Sequence, residues 1–233
     1  VDVFFVISGY LITKILIEGI ENKKFSIINF YERRARRILP VLYVVVFFTL
    51  IASYFILLPE DLASLGKSAI SIPLFSSNFY FWSERGYFGV ANELKPLVHT
   101  WSLAVEEQFY IVFPLLLMML KNYQKILFVI LAAGFCLSLS ASYYVTLIHF
   151  DTAFYFPATR AWELLVGAFC GILLYKTSFK LTKNRADFVS IIGLLLIFYA
   201  YIMFDSSTLF PYINALIPVL GCALYIISSQ NSS

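Results

Sequence analysis

The sequence predicts an all-α, polytopic transmembrane helix bundle of about seven spans, with one further segment, 62–82, that re-enters the membrane or lies along its interface. Three observations carry that prediction. The chain is 61% hydrophobic and only 13% charged, with a mean hydropathy of +0.82, too apolar for a soluble domain. Uncharged runs such as 41–58 are long enough to cross a bilayer, which takes about 18–20 residues. Those runs do not alternate at every second residue over about ten residues, as barrel strands would. Helices, which satisfy their own backbone in lipid, are then the elements that remain.

Taken in order, the candidate spans are 3–20, 41–58, 103–120, 126–148, 160–175, 188–204 and 208–228. Basic residues gather between them, in Glu21–Pro40 (Lys23, Lys24, Arg33, Arg34, Arg36, Arg37), in Lys121–Lys125 and in Lys176–Arg185. The positive-inside bias puts all three loops on the cytoplasmic side. Counting back from Lys176 and forward from Arg37 then places both Ser83–Thr100 and the end of span 41–58 outside, so 62–82 cannot cross. That segment is also a poor span, carrying Lys67, Pro73, Ser64, Ser68, Ser71, Ser76 and Ser77. Lys67, Arg85, Lys95 and Arg160 are the basic residues left on the outer side. The chain opens at Val1 without a leader-like basic region and closes at Ser233 in a span-like run. Residues 1–233 are therefore expected to be a single membrane domain, incomplete at both ends.

A net charge of +3, spread over loops, gives no basic face for nucleic acid. Cys136, Cys170 and Cys222 are widely spaced within apolar runs, which fits small packing residues and neither a disulfide framework nor a metal site.

The charges inside apolar segments are the candidate functional groups, because an ionisable side chain in a span costs at least a few kcal/mol unless paired or hydrated. In His99–Tyr110, followed by the apolar run Ile111–Leu120, two adjacent carboxylates, Glu106 and Glu107, stand at or inside a span. On a helix His99, Ser102, Glu106 and Tyr110 share one face. Trp101 beside them is an interfacial anchor or a contact on a substrate path. In Phe30–Pro40, Arg33, Arg34, Arg36 and Arg37 crowd the inner edge of a span, with Arg34 and Arg37 one turn apart. Their planar forks match phosphate, of a polyphosphorylated ligand such as a nucleotide or coenzyme A, or of anionic lipid headgroups. In Val1–Thr13, Asp2 lies near the outer end and Ser8-Gly9 suggests close helix packing. Phe79, Tyr80, Phe81 and Trp82 fit an outer interface belt or a sugar-stacking surface. His149 is read as structural.

Three of these segments, Val1–Thr13, Arg33–Pro40 and His99–Tyr110, together with Pro157–Gly167, resemble in wording, order and spacing the acyltransferase family 3 membrane proteins, a bacterial group of O-acetyltransferases. The resemblance covers essentially the whole chain. It implies a multi-pass protein of the bacterial plasma membrane that moves an acyl group, acetyl as a rule, from cytoplasmic acyl-CoA to a hydroxyl of an outer glycan. Lipopolysaccharide, peptidoglycan and exopolysaccharide are the candidate acceptors. Acyl-CoA would be a co-substrate, with no bound cofactor and no metal; the other partners would be the glycan and the lipid bilayer. Carried over by position, the donor-binding arginines fall on Arg34 and Arg37, with Arg33 beside them. The acidic motif residues fall on Asp2 and Glu106, and the fourth motif's pair on Arg160 and Glu163.

Family members also carry an upstream helix with an arginine and a histidine thought to be catalytic, which this sequence lacks; the chain by itself is thus expected to be inactive. Glu106 or Asp2 would orient that histidine, with His99 as a further proton-relay candidate. Arg160, Glu163, Trp101 and Tyr110 would line the substrate path. The rival readings are a secondary transporter, for which no inverted repeat is visible, and a non-catalytic membrane scaffold.

Overall fold

The computed structural model describes residues 1–23, 25–84, 95–177, 181–205 and 208–229. Lys24, Arg85 and Lys180, counted above among the basic residues, lie outside them. Among the described residues ten α-helices follow one another: α1 (Asp2–Glu21), α2 (Ile27–Ile56), α3 (Pro59–Ser71), α4 (Ser77–Ser83), α5 (Thr100–Leu120), α6 (Gln124–Ile148), α7 (Phe150–Tyr155), α8 (Pro157–Lys176), α9 (Lys183–Met203) and α10 (Leu216–Ser229). The protein is an all-α, multi-pass membrane protein. Among the described residues six stretches are long and apolar enough to cross a membrane: α1, α2, α5, α6, Phe150–Lys176 and α9. The seventh expected span is shorter than the run 208–228 suggests, because helix begins only at Leu216. Pro211 has no N–H to donate and steers the residue before it out of helix, so the first part of that run is turn.

α1 is the centre of the bundle. Phe5, Val6, Ile12 and Leu16 are fully buried along it, Phe5 in one, Val6 in a second and Ile12 with Leu16 in the third of the apolar clusters that form the core. Its closest neighbour is α8, and glycines make the approach possible. A Cβ on Gly9 would overlap the carbonyl oxygen of Leu164, and one on Gly167 would overlap that of Val6. With no hydrophobic effect to drive association in lipid, small residues of this kind let backbones touch and gain dispersion contact. Gly193 and Gly221 do the same for α9 and α10, each facing the other's carbonyl.

The three basic loops come together at one end of the bundle. Tyr175 donates to Glu21 (2.8 Å), joining the ends of α8 and α1, and Lys176 donates to Gln124 (2.5 Å), joining α8 to the start of α6. At the opposite end lie the first turns of α1, α5 and α8. That arrangement is the one the parity argument needs.

Segment 62–82 is not a span. α3 and α4 form a helical hairpin broken at 72–76, where Phe75 takes a φ of +49°. Non-helical backbone near lipid persists only where protein satisfies it, and Gln108 of α5 does so here at Phe75. Gln108 of α5 donates to Phe75 O (2.7 Å) and to Asn78 Oδ1 (2.9 Å), while buried Asn78 donates to Tyr155 O (3.2 Å) and Ser77 to Thr100 O (2.9 Å). The hairpin is clasped by Glu84, which accepts from Ser64 (3.0 Å), from Tyr80 and from Lys95 (2.9 Å). Burial pushes the Glu84 carboxyl up, but those three donors outweigh it and hold it below the usual range. Burial, with Glu84 beside it, pushes the Tyr80 phenol up to about 12.

α2 differs from the other long helices in standing apart. Of its 30 residues only Phe30, Leu42 and Ser53 are buried. Between it and α1 and α5 lies a large cavity.

Candidate functional site

The sequence reading sets the arginine cluster at the inner edge of a span and only the start of His99–Tyr110 at the outer face. The structure shows how the arginines and Glu106 come together. α2 starts well before the arginines, at Ile27, where the Ser26 hydroxyl caps it by accepting from Asn29 N (3.4 Å). It then runs through Pro40, so the arginines sit inside a helix and not in a loop before one. α2 is also pinned halfway along α5, where the Tyr31 hydroxyl donates to Ile111 O (2.9 Å). Tyr110 lies about 15 Å along α5 at 1.5 Å per residue, and a long arginine reaches that level.

Arg34, Arg37, Glu106, Tyr110 and Ser8 thus line one cavity of about 580 Å³. The Arg34 guanidinium lies 4.6 Å from the centre of the Tyr110 ring, within cation–π range. The Tyr110 hydroxyl donates to Glu106 Oε1 and shares a second hydrogen bond with the Ser8 hydroxyl. Glu106, Tyr110 and Ser8 are all buried in the bundle wall. The remaining walls are apolar, from Phe4, Ile7 and Leu11 of α1, from Ile38, Val41 and Val45 of α2, and from Leu103 of α5. The chamber therefore has a cationic side, one carboxylate held by a phenol, and an apolar remainder. That chemistry receives an anion attached to an apolar arm.

The other predicted charges assemble elsewhere. Arg160 Nη1 donates to Asp2 Oδ1 (2.9 Å) and to Glu163 Oε1 (2.8 Å), and its Nε donates to Phe154 O (3.2 Å). Arg160 and Glu163 are completely enclosed, and Asp2 nearly so. The guanidinium is roofed by rings, with Trp101, Phe154 and Phe210 centred 5.5, 5.1 and 5.8 Å away. The i, i+3 spacing foretold the Arg160–Glu163 pair, and Asp2 joins it as a third member, absent from the lining of the arginine cavity. Trp101 is buried against Phe5, Phe154 and Tyr155, part of the roof over Arg160 and not an anchor at the lipid surface.

Two further expectations are corrected. His99 is an exposed residue at the start of α5 and, like Ser102, is absent from the cavity wall, although Glu106 and Tyr110 of its predicted face are there. Arg33 is exposed and lies outside the lining, because one step along a helix turns a side chain by about 100°. Arg36 is likewise directed to the surface and pairs with Glu32 (2.8 Å). Sequence reasoning missed Ser8, read there as a packing residue, whose hydroxyl completes the Tyr110–Glu106 array. It gave no separate role to Glu107, which is buried with Oε1 lacking a partner among the described residues. The signal for Glu107 was present in the paired carboxylates of the motif. Among the described residues no group of three His, Cys, Asp or Glu side chains could hold a metal ion.

A multi-pass helix bundle that builds a charged, partly enclosed chamber into its membrane-spanning part defines an integral membrane protein with an internal site. The chain belongs to the acyltransferase domain family, which matches it over residues 1–233. It is 35% identical over 242 residues to an uncharacterized protein of Haemophilus influenzae, covering 99% of both chains. It is also 36% identical over 174 residues to the peptidoglycan O-acetyltransferase OatA of Listeria monocytogenes, covering 72% of this chain and 28% of that protein. With the O-acetyltransferase OatA of Staphylococcus aureus it shares 35% identity over 194 residues, 79% of this chain and 31% of the relative. The chain thus spans about a third or less of the length of these two O-acetyltransferases. No solved structure matches it.

Proposed function

We propose that the protein is a membrane-bound O-acyltransferase of the bacterial plasma membrane. It takes an acyl group, acetyl in the first instance, from acyl-CoA on the side of the basic loops and passes it to a hydroxyl of a cell-surface glycan on the other side. The acyltransferase domain family and the acetyltransferase relatives support the reaction class. The observation that carries the reading for this chain is the shared cavity of Arg34, Arg37, Glu106 and Tyr110. Peptidoglycan, on which the Listeria relative is named as acting, is the first acceptor to examine.

In this reading Arg34 and Arg37 hold the donor's phosphates through charge-assisted, forked hydrogen bonds. The apolar walls between α1 and α2 take the donor's flexible arm and keep water from the thioester. The acceptor oxygen attacks the thioester carbonyl and loses its proton to a base; the tetrahedral adduct then expels the thiolate, which takes up a proton. Glu106 is the carboxylate placed to accept or relay the proton, with Tyr110 and Ser8 fixing its position. Arg34, close to the Tyr110 ring, supplies positive charge where the oxyanion develops.

The test is acetyl-CoA binding to the whole protein in lipid nanodiscs, wild type against the double variant Arg34→Ala, Arg37→Ala. Hydrogen bonds between charged groups contribute about 1.5–3 kcal/mol each, so binding is expected to weaken by at least about tenfold per arginine. Equal binding by the two proteins contradicts the donor-site assignment.

A further inference from the structure

Among the described residues the membrane-spanning helices bury Asp2, Glu106, Glu107 and Glu163 as their carboxylates. Asp2 and Glu163 accept from Arg160, and Glu106 accepts from the Tyr110 hydroxyl. Glu107 is the exception. It is 7% exposed, and its Oε1 has no hydrogen-bond partner among the described residues. It is also absent from the lining of the arginine cavity, so it is not placed to touch a ligand there. A carboxylate that only joined helices would be bonded to its cation, as Asp2 is to Arg160. One left unbonded inside a span is costly, and its presence needs another reason.

That reason lies on α2. Glu107 and Tyr110 stand three residues apart on α5 and are neighbours on its surface, as Tyr31 and Arg34 are on α2. The two pairs meet. The Tyr31 hydroxyl donates to Ile111 O (2.9 Å), one position beyond Tyr110, and the Arg34 guanidinium lies 4.6 Å from the centre of the Tyr110 ring. Arg34 thus comes near enough to act on Glu107 electrostatically, with no ion pair formed between them among the described residues. Arg37, by contrast, acts on Glu106 and not on Glu107.

We propose that Glu107 is a positioning residue for Arg34, a counter-charge that competes with the donor's phosphates for the guanidinium and so releases the spent donor. The proposal rests on the donor-site reading above and adds to it a means of turnover. Coenzyme A leaves the reaction with every phosphate that acyl-CoA brought in. Arginines that grip those phosphates hold substrate and product equally, which lowers KM without raising kcat and favours product inhibition. A fixed anion beside one of the two arginines loosens that grip. Arg34 is free to pass between the two anions, because its side chain is long and only Phe30, Leu42 and Ser53 of α2 are buried.

The experiment uses the whole protein in nanodiscs and two probes, coenzyme A and inorganic pyrophosphate, with binding read by calorimetry. Glu107→Gln should bind coenzyme A about threefold tighter than wild type or more, as expected when one nearby like charge is removed. Glu107→Asp keeps the charge and should stay close to wild type. The tightening should largely vanish in an Arg34→Ala background and persist in an Arg37→Ala background. In the transfer assay the KM for acetyl-CoA should fall in Glu107→Gln, and free coenzyme A should inhibit more strongly. A purely structural Glu107 would not tighten binding. Coenzyme A affinity in Glu107→Gln equal to or below that of wild type, tightening undiminished without Arg34, or failure of this same-shaped variant to fold overturns the proposal. The proposed function still stands in those cases if Arg34→Ala, Arg37→Ala loses donor binding. Pyrophosphate binding that tightens through Arg34, with no coenzyme A binding by wild type, keeps the counter-charge and sinks the donor site. Binding of neither probe by wild type overturns both.

Discussion

Two clusters of charge are built into the membrane part of this protein, and α1 contributes to both. Asp2 meets Arg160 and Glu163 under a roof of aromatic rings, where the two carboxylates lie within 2.9 Å of one guanidinium nitrogen. Ser8 belongs to the other cluster, in which Arg34 and Arg37 stand beside a cavity of about 580 Å³ with Glu106 tied to Tyr110. In the first, two enclosed carboxylates share one guanidinium, and Glu163 Oε2 lacks a hydrogen-bond partner among the described residues. In the second, the cations have space in front of them and no carboxylate bonded to them among the described residues. A buried charge costs several kcal/mol to desolvate, so a sealed cluster is explained by its own partners. The open cluster is the one proposed above to hold the donor. The difference separates charges that join helices from charges that perform chemistry, a distinction that burial by itself does not make.

The largest effect should come from breaking the sealed cluster. Arg160→Leu leaves two carboxylates enclosed without their cation, which costs about 3–5 kcal/mol. The expected result is a collapse of monodisperse yield in detergent, measured by fluorescence-detected size exclusion. Replacing all three members, with Asp2→Asn, Arg160→Leu and Glu163→Gln together, should recover much of that yield. Failure to recover would give the triad a part beyond joining α1 to α8.

Glu106→Gln sharpens the other side of the comparison. The amide oxygen can still accept from Tyr110, so folding should be retained, while loss of the carboxylate removes a proton-transfer group that contributes about 10²–10⁴-fold in rate. Single-turnover transfer from acetyl-CoA measures this, and near-full transfer would exclude Glu106 from the chemistry. A smaller loss is expected for Gly167→Val, which drives side-chain atoms into the Val6 carbonyl and forces α8 from α1. Overpacking of this kind costs about 1–3 kcal/mol, to be read as a lower unfolding temperature. If Gly167→Val unfolds no sooner than wild type, the close crossing of α1 and α8 is not holding the sealed cluster together.

The smallest effect concerns the partly exposed clasp of the α3–α4 hairpin. Glu84 is held below its ordinary value of 4.5, so its contribution is fully present above that pH and is lost as pH falls through the lower, folded value. Hydrogen exchange in α3 and α4 should therefore accelerate as the solution is acidified from about pH 4.5. Glu84→Gln should flatten that dependence, and an unchanged pH profile in the variant would assign it to other groups.

Much of this architecture is legible in the chain itself. The spans follow from length and hydropathy, and the failure of 62–82 to cross follows from Lys67, Pro73 and its serines. Arg160 with Glu163, and Arg34 with Arg37, follow from helical spacing. What spacing cannot reveal is which helices meet. Asp2 and Arg160 lie 158 positions apart, and no periodicity joins them. The meeting of Arg34 with Tyr110 depends on how far α2 extends before its apolar run and how far an arginine reaches along its neighbour. The late start of α10 was hidden because hydropathy counts Phe210 and Pro211 as span whether or not they are helical.

The most direct test compares the two clusters in one preparation, measuring unfolding temperature and acetyl transfer per folded molecule for Arg34→Ala, Arg37→Ala and for Arg160→Leu. The account predicts that the first variant unfolds close to wild type and loses transfer by about 10²-fold or more, while the second loses folded protein. A double-arginine variant that fails to fold, or that folds and transfers at the wild-type rate, would contradict it.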